Sequence, residues 1–223
     1  MSDSLTAKFE ALHAERERTW DPEKLQRNVE TREALVAAFD PTKVVQVGTV
    51  VEPFALELST GDRVDLDDLT VNGPVALIFF RFAGCPACNI ALPHYDQALR
   101  PALEAAGISI VAVSPHLPEK GLDDIRRRHD LKFAVASDRD NKLGRRFGLT
   151  FVPHDDPAIP EGDPNWIGAL TGTGSWELPQ PAIVLIDPDR VVRYVDVSPD
   201  WLVRTEAEDV LAWLRNARVA AIS

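Results

Sequence analysis

Cysteine is scarce in this chain: only two occur among 223 residues, Cys85 and Cys88, and both lie in one C-x-x-C motif. A secreted disulfide scaffold uses more cysteines at wider spacing, which excludes that class. A C-x-x-C pair beside alternating strands and helices is typical of a redox dithiol. The alternatives are two inert cysteines or half of a zinc site, for which His94 and His116 are the only nearby ligands and lack finger-like spacing.

Basic residues and long apolar runs are also scarce. Lys and Arg total 24 against 35 Asp and Glu, giving a formal net charge of −11, which disfavours binding to nucleic acid or to an anionic membrane. The N-terminal sequence MSDSLTAKFEALH has no apolar segment after a basic start, so neither a secretory signal nor an anchor is visible. We therefore expect a cytoplasmic protein with no nucleic-acid or membrane partner.

The stretch that organises the chain is a strand-to-helix junction around the two cysteines. The apolar run VALIFF, residues 75–80, has the length and residue types of a strand buried on both faces. Cys85 then falls at a helix start, with Pro86 suited to the first helical position. Unpaired amides and the helix dipole there stabilise a thiolate. Cys88 lies one turn further on the same face, so we predict that Cys85 is the nucleophile and Cys88 closes the disulfide.

Hydrophobic periodicity elsewhere predicts a single α/β domain. Two amphipathic helices are predicted within residues 4–39, packing either on this chain's own core, which we favour, or on a second subunit. The other predicted elements are a hairpin at 53–67, strands at 108–113, 133–136, 182–186 and 191–195, and helices at 122–129, 141–147 and 205–215. Residues 149–180 are predicted to form a long loop. This alternation indicates a mostly parallel sheet with reactive loops at its carboxyl edge.

A family resemblance adds to these predictions. The spacing C-x-x-C-x-x-x-x-P, filled by Cys85, Cys88 and Pro93, is similar to that of thioredoxin. The segments GTVVEPFALELSTGDRVDLDDL, FFRFAGCPACN, FAVASDRDNKLGRRFGL and GSWELPQPAIVLIDPDRVVRYVDVSPDW together resemble the peroxiredoxin-like branch of the alkyl hydroperoxide reductase and thiol-specific antioxidant (AhpC/TSA) family. The resemblance implies a thioredoxin-like fold at 45–223, with a central mixed, mostly parallel sheet flanked by helices, after an N-terminal helical extension at 1–44.

The resemblance also implies a reaction. Cys85 would reduce a hydroperoxide, Cys88 would resolve the product to an intramolecular disulfide, and thioredoxin or a similar dithiol would restore the pair, with no metal or other cofactor. A homodimer is expected because the family often forms one. Two alternatives remain open. The first is disulfide exchange on a protein partner through the same cysteines, and the second is a non-enzymatic binding module that senses redox state.

Three further residues are candidates for supporting roles. Arg81 ends the buried strand four residues before Cys85 and would stabilise a thiolate by charge, the alternative being a surface ion pair. Pro181 occupies the position where thioredoxin-like proteins carry a cis proline, which implies a cis Gln180–Pro181 bond, against an ordinary trans bond. Trp176 either walls the site or packs in the core. We expect His94 and His116 to be solvated.

The chain departs from typical peroxiredoxins at positions that matter for peroxide activation. Those enzymes place Thr or Ser three residues before the peroxidatic cysteine, where this chain has Phe82, and proline seven residues before it, where this chain has Ile78. Their activating arginine sits at or next to the position of Pro181. Because oriented donors of this kind are commonly worth about 10²- to 10³-fold in rate, we expect only modest peroxidase activity.

Overall fold

The computed structural model describes residues 4–153 and 159–220. The helices are α1 (Leu5–Thr19), α2 (Pro22–Ala38), α3 (Leu66–Thr70), α4 (Pro86–Ala98), α5 (Arg100–Glu104), α6 (Asp123–His129), α7 (Lys142–Arg146), α8 (Ile167–Thr171) and α9 (Ala207–Ala220). The strands are β1 (Ala55–Leu58), β2 (Arg63–Asp65), β3 (Val75–Phe79), β4 (Ser109–Ser114), β5 (Ala134–Ser137), β6 (Thr150–Phe151), β7 (Leu178–Pro179), β8 (Ala182–Ile186) and β9 (Val192–Val197).

Seven of these strands form one mixed sheet in the order β2-β1-β5-β4-β3-β8-β9. The centre is parallel, since β4 pairs with both β3 and β5 in that sense, and antiparallel strands lie on either side. All five residues of β3 are buried, which the apolar run predicted. Helices cover both faces over two apolar clusters, so the predicted thioredoxin-like α/β architecture is confirmed.

The long segment between α7 and β8 carries more regular structure than its composition indicates. β6 and β7 pair in a separate two-stranded ladder, and α8 lies between them. The Gln180 N–H donates to the Leu149 carbonyl at 2.7 Å, which extends this ladder towards β8. Part of the predicted loop, residues 154–158, lies outside the described residues.

The two predicted N-terminal helices are present, and they pack very differently. α1 lies against α4, and its Leu5 and Phe9 are fully buried in the same apolar cluster as both cysteines. The Glu206 carboxylate fixes the start of α1 by accepting hydrogen bonds from the Leu5 and Thr6 N–H groups at 3.0 and 2.7 Å. In α2 the only buried residue is Asn28. Own-chain packing is therefore confirmed for α1.

No helix within the described ranges is long and apolar enough to span a bilayer.

Candidate active site

The two cysteines lie where β3 leads into α4, as the sequence predicts. Cys85 is the N-cap of α4, and Pro86 takes the first helical position, where its missing N–H leaves no hydrogen bond unmade. The Cys88 N–H donates to the Cys85 sulfur at 3.4 Å, which satisfies one free amide of the helix start. Both residues are buried, Cys85 with 2 % of its surface exposed and Cys88 with none. Both are free thiols.

Two polar side chains brace the loop that precedes Cys85. The Asn89 amide donates to the Ala83 and Cys85 carbonyls, each at 2.9 Å. The His116 ring accepts the Ala83 N–H at Nδ1, 3.2 Å away, and its Nε2 lies 3.0 Å from the Lys120 carbonyl. Because Nδ1 accepts, the proton of the neutral ring sits on Nε2, which donates to that carbonyl. Burial lowers the pKa of His116 and favours this neutral form.

The expectation that the histidines are solvated is wrong for both. His116 is 5 % exposed and His94 is 7 % exposed. His94 lies on α4, and its ring packs edge-on against Tyr95 with centroids 6.0 Å apart. Burial, followed by the charge of Lys8 on α1, lowers its pKa. The α4 sequence alone does not reveal this, because α1 covers that face of the helix. Across residues 4–153 and 159–220, no three His, Cys, Asp or Glu side chains cluster as metal ligands.

Arg81 is buried, with 6 % of its surface exposed. Its guanidinium carbon stacks 4.3 Å from the ring centroid of Trp201 and 5.9 Å from that of Phe151, and those two rings are themselves stacked. Its positive charge opposes the effect of burial on the pKa of Cys85. The structure thus places Arg81 where a cation favours a thiolate, with two aromatic faces holding its planar head.

A second guanidinium, Arg204, is the site residue that the sequence analysis missed. Its Nη2 donates to the Cys88 sulfur at 3.4 Å, and its Nε donates to the Trp201 carbonyl at 3.0 Å. Its guanidinium carbon lies 5.6 Å from the ring centroid of Phe9, on α1. Arg204 follows Cys88 by 116 residues. The only local indication is its place beside the apolar pair Trp201 and Leu202, just before a helix.

Together these groups set the charge of the dithiol. Burial raises the pKa of the Cys85 thiol well above its ordinary value, and the neighbouring Cys88 raises it further. Burial also raises the pKa of Cys88, but the hydrogen bond from Cys85 and the contact with Arg204 outweigh it and hold that pKa well below its ordinary value. These effects favour a thiolate on Cys88, the sulfur that Arg204 contacts, over one on Cys85. This differs from the expectation that the helix start alone selects Cys85 as the resting thiolate.

The structure brings Pro181 close to Arg204, whereas the described ring contact of Trp176 is with Trp166. Pro181 lines a small pocket that also includes Tyr95 and Arg204. The expected cis bond before Pro181 is wrong, since no peptide bond among the described residues is cis. The extended chain runs directly from β7 into β8 there, and a trans bond continues it. Trp176 packs edge-on against Trp166, with centroids 5.6 Å apart, and has no described contact with the sulfurs.

Comparison with known protein families identifies a match that contains the strand-to-helix site. A sequence model of the AhpC/TSA family matches residues 47–195, more than half of the chain. The chain belongs to the AhpC/TSA family. In this AhpC/TSA protein α1, which carries Phe9, precedes the match, and Trp201 and Arg204 follow it.

The curated relatives of this AhpC/TSA protein include thiol-disulfide oxidoreductases named ResA. The protein from Bacillus cereus (strain ZK / E33L) is 27% identical over 117 residues, covering 52% of this chain and 65% of its own length. The protein from Bacillus subtilis (strain 168) is 24% identical over 154 residues, covering 68% of this chain and 82% of its own. The chain thus spans a little less than two thirds of the first of these relatives.

Solved structures with the same fold include peroxiredoxins. Peroxidoxin BcpB from Mycobacterium tuberculosis has a TM-score of 0.59 at 23% identity, covering 77% of this chain and 97% of that one. A cysteine-to-serine mutant of PrxQ from Xylella fastidiosa has a TM-score of 0.60 at 18% identity, covering 78% of this chain and 98% of that one. At such low identity these likenesses show the shared fold.

Proposed function

We propose that this AhpC/TSA protein is a thiol-dependent antioxidant oxidoreductase in which Cys85 and Cys88 reduce a hydroperoxide. The observation that carries the proposal is the buried dithiol at the start of α4, with a guanidinium hydrogen-bonded to one sulfur and a second, that of Arg81, favouring the thiolate of the other. A thiolate in this pair would be poised for nucleophilic attack, since the thiolate is the reactive form of cysteine.

The proposed cycle has two chemical steps before reduction. The Cys85 proton passes to Cys88, and the Cys85 thiolate attacks the terminal oxygen of the hydroperoxide. The O–O bond breaks, and the alkoxide that leaves takes a proton from solvent water to become an alcohol. Cys85 is then a sulfenic acid. The Cys88 sulfur attacks that sulfenic sulfur, the S–O bond breaks, and water and the Cys85–Cys88 disulfide form. A dithiol of the thioredoxin type returns two electrons and two protons by exchange.

Stopped-flow mixing of the reduced protein with hydrogen peroxide tests this reaction. The expected result is oxidation faster than that of a free thiol such as glutathione at the same pH, because Cys88 takes the Cys85 proton and Arg81 favours the Cys85 thiolate that results. The expected excess is below that of a peroxiredoxin with its full donor set, because Phe82 replaces one polar donor. Oxidation no faster than that of glutathione would refute the peroxidase proposal while leaving disulfide exchange open.

The second candidate function is disulfide exchange on a protein partner. The similarity to proteins named thiol-disulfide oxidoreductase supports it, and so does the lack of Thr or Ser at position 82. Reduction of a disulfide-bonded protein and of hydrogen peroxide, measured side by side under one reductant, ranks the two functions. If thioredoxin, its reductase and NADPH sustain turnover of neither substrate, the remaining alternative, a redox-sensing binding module, is favoured.

We also propose a reductant and a cellular location for the protein. Its reductant would be a thioredoxin-type dithiol, and its location the cytoplasm, where such a dithiol keeps the two thiols reduced between turnovers. The C-x-x-C pair would serve cellular redox homeostasis. A homodimer remains a prediction, to be tested by light scattering of the purified protein at several concentrations.

A further inference from the structure

Arg204 lies beside the cysteine pair, and its consequence for that pair rests on the pair's proposed redox role. Arg204 is 7 % exposed, enclosed by the Phe9 ring, the Trp201 carbonyl and the Cys88 sulfur. Burying an ionised guanidinium is strongly unfavourable unless an anion pairs with it. Whatever balances its charge must therefore lie within this enclosure.

No carboxylate among the described residues lies within 4.0 Å of Arg204 in an ion pair. The groups whose negative charge favours its cationic form are Cys88, Cys85 and Tyr95. The nearest acidic residue in sequence, Glu206, is engaged elsewhere, because both its oxygens accept hydrogen bonds from the start of α1. Tyr95 donates its hydroxyl proton to the Thr205 carbonyl, and burial raises its pKa, so it is neutral. The dithiol is the remaining anion.

We propose that the thiolate of the reduced cysteine pair is the counter-ion of Arg204, so that forming the Cys85–Cys88 disulfide leaves a buried guanidinium unpaired and makes that disulfide strongly oxidising. A dithiol whose reduced form is stabilised has a higher reduction potential. The disulfide would therefore accept electrons readily from a thioredoxin-type dithiol. Ordinary protein disulfides would be too weakly oxidising to form the Cys85–Cys88 disulfide by exchange. A strong oxidant such as a hydroperoxide would therefore be needed to form it in each cycle.

The proton balance of the exchange gives a test that needs no substitution. A reduced pair with one thiolate and one thiol reacts with oxidised glutathione and one proton; two electrons pass to glutathione, its S–S bond breaks, and the protein disulfide and two glutathione thiols form. The equilibrium then shifts about tenfold per pH unit towards the protein disulfide as pH falls from 7.5 to 6, where glutathione stays protonated. A pair of two neutral thiols consumes no net proton, so an equilibrium constant independent of pH would overturn the proposal.

Substitution of Arg204 tests which residue holds the charge. In a glutathione redox buffer at pH 7, Arg204→Gln should shift the equilibrium at least tenfold towards the disulfide, a fall in potential of about 30 mV. Arg204→Lys, which keeps the charge, should restore most of the wild-type value. The matched control is Arg16→Gln, because Arg16 is equally buried, at 6 % exposed, but contacts Trp20 and Asn28.

The readout is the reduced fraction after acid quench and thiol alkylation, together with the thiolate absorbance at 240 nm as a function of pH. The thiolate titration should move to higher pH in Arg204→Gln and stay in place in Arg16→Gln. An equal shift in both arginine variants, or none in Arg204→Gln, would overturn the assignment. Because none of these measurements uses a peroxide, they are independent of whether the peroxidase proposal holds.

Discussion

The segment that matches the family, residues 47–195, and the two segments that flank it contribute different parts of one site. The matched segment supplies the sulfurs, the helix start and Arg81. The flanks supply the surroundings: α1 brings Phe9, and the turn before α9 brings Trp201 and Arg204. The matched segment thus carries the nucleophiles and one nearby cation, Arg81, while the second cation, Arg204, and the aromatic rings of Phe9 and Trp201 come from outside it.

The largest expected effect is inside the matched segment. Cys85→Ser should abolish disulfide formation and peroxide consumption, whereas Cys88→Ser should allow a single oxidation of Cys85 and trap a mixed disulfide with the reducing partner. Mass spectrometry of each variant after peroxide and dithiol treatment measures both outcomes. If Cys85→Ser instead traps the mixed disulfide, the roles are reversed and Cys88 is the attacking sulfur.

The next effect belongs to the N-terminal flank. Phe9→Ala removes a fully buried ring that covers Arg204, so it should lower the free energy of unfolding by about 3–5 kcal/mol and increase the rate of thiol alkylation in the folded protein. Chemical denaturation and iodoacetamide labelling measure these changes.

The control for Phe9 is Val36→Ala on α2. Val36 is 49 % exposed, so this change should alter stability by less than about 0.5 kcal/mol and leave alkylation unchanged. Equal effects of the two variants would mean that α1 and α2 do not differ as the structure indicates.

A smaller effect is expected where the two segments join. The Tyr95 hydroxyl, on α4, donates to the carbonyl of Thr205, beside Arg204, at 2.7 Å. Tyr95→Phe leaves that buried carbonyl without its donor and should cost about 1–3 kcal/mol of unfolding free energy. Urea denaturation measures this loss of unfolding free energy. In the same variant, the C-terminal flank should show faster amide hydrogen exchange than the matched segment. Uniform exchange over both segments would contradict this.

The smallest expected effect is on stability and depends on pH. It comes from Glu206, which links the C-terminal flank to the start of α1. Although burial opposes it, hydrogen bonds from Thr6 and Leu5 hold the pKa of Glu206 below its ordinary value of 4.5. A carboxylate whose folded-state pKa is depressed stabilises the protein above the unfolded-state value and loses this contribution as pH falls through the folded-state value. Glu206→Gln should therefore cost about 0.3–1 kcal/mol at pH 7, and the difference from wild type should vanish in acid. A cost that persists at pH 2 would contradict it.

Local sequence signals predicted the parts of the site that depend on near neighbours. The apolar run of β3, the N-cap position of Cys85 and the first-turn Pro86 all follow from residues within a few positions of one another. The hairpin of β1 and β2 and the final helix are likewise confirmed. Each of these is a short-range preference that the packed fold leaves intact.

The failures at His94 and Arg204 share one cause, which is burial by elements far away in the sequence, and the failure at Pro181 has another. The sequence around His94 suggests a solvated helix residue, but α1 covers it in the structure. The sequence around Arg204 likewise gives no sign that Phe9 and Cys88 surround it. The trans bond before Pro181 depends on the extended path from β7 into β8. None of these contacts leaves a periodicity or spacing in the chain, so sequence patterns could not reveal them.

The contact between Cys88 and Arg204 also bears on how the protein is made. During synthesis the C-x-x-C motif leaves the ribosome well over a hundred residues before its guanidinium, and such long-range contacts form late. A growing chain therefore presents the two cysteines before Arg204 can contact them. The contact between Arg204 and Cys88 therefore forms only after the turn before α9 has been made and has packed against α4.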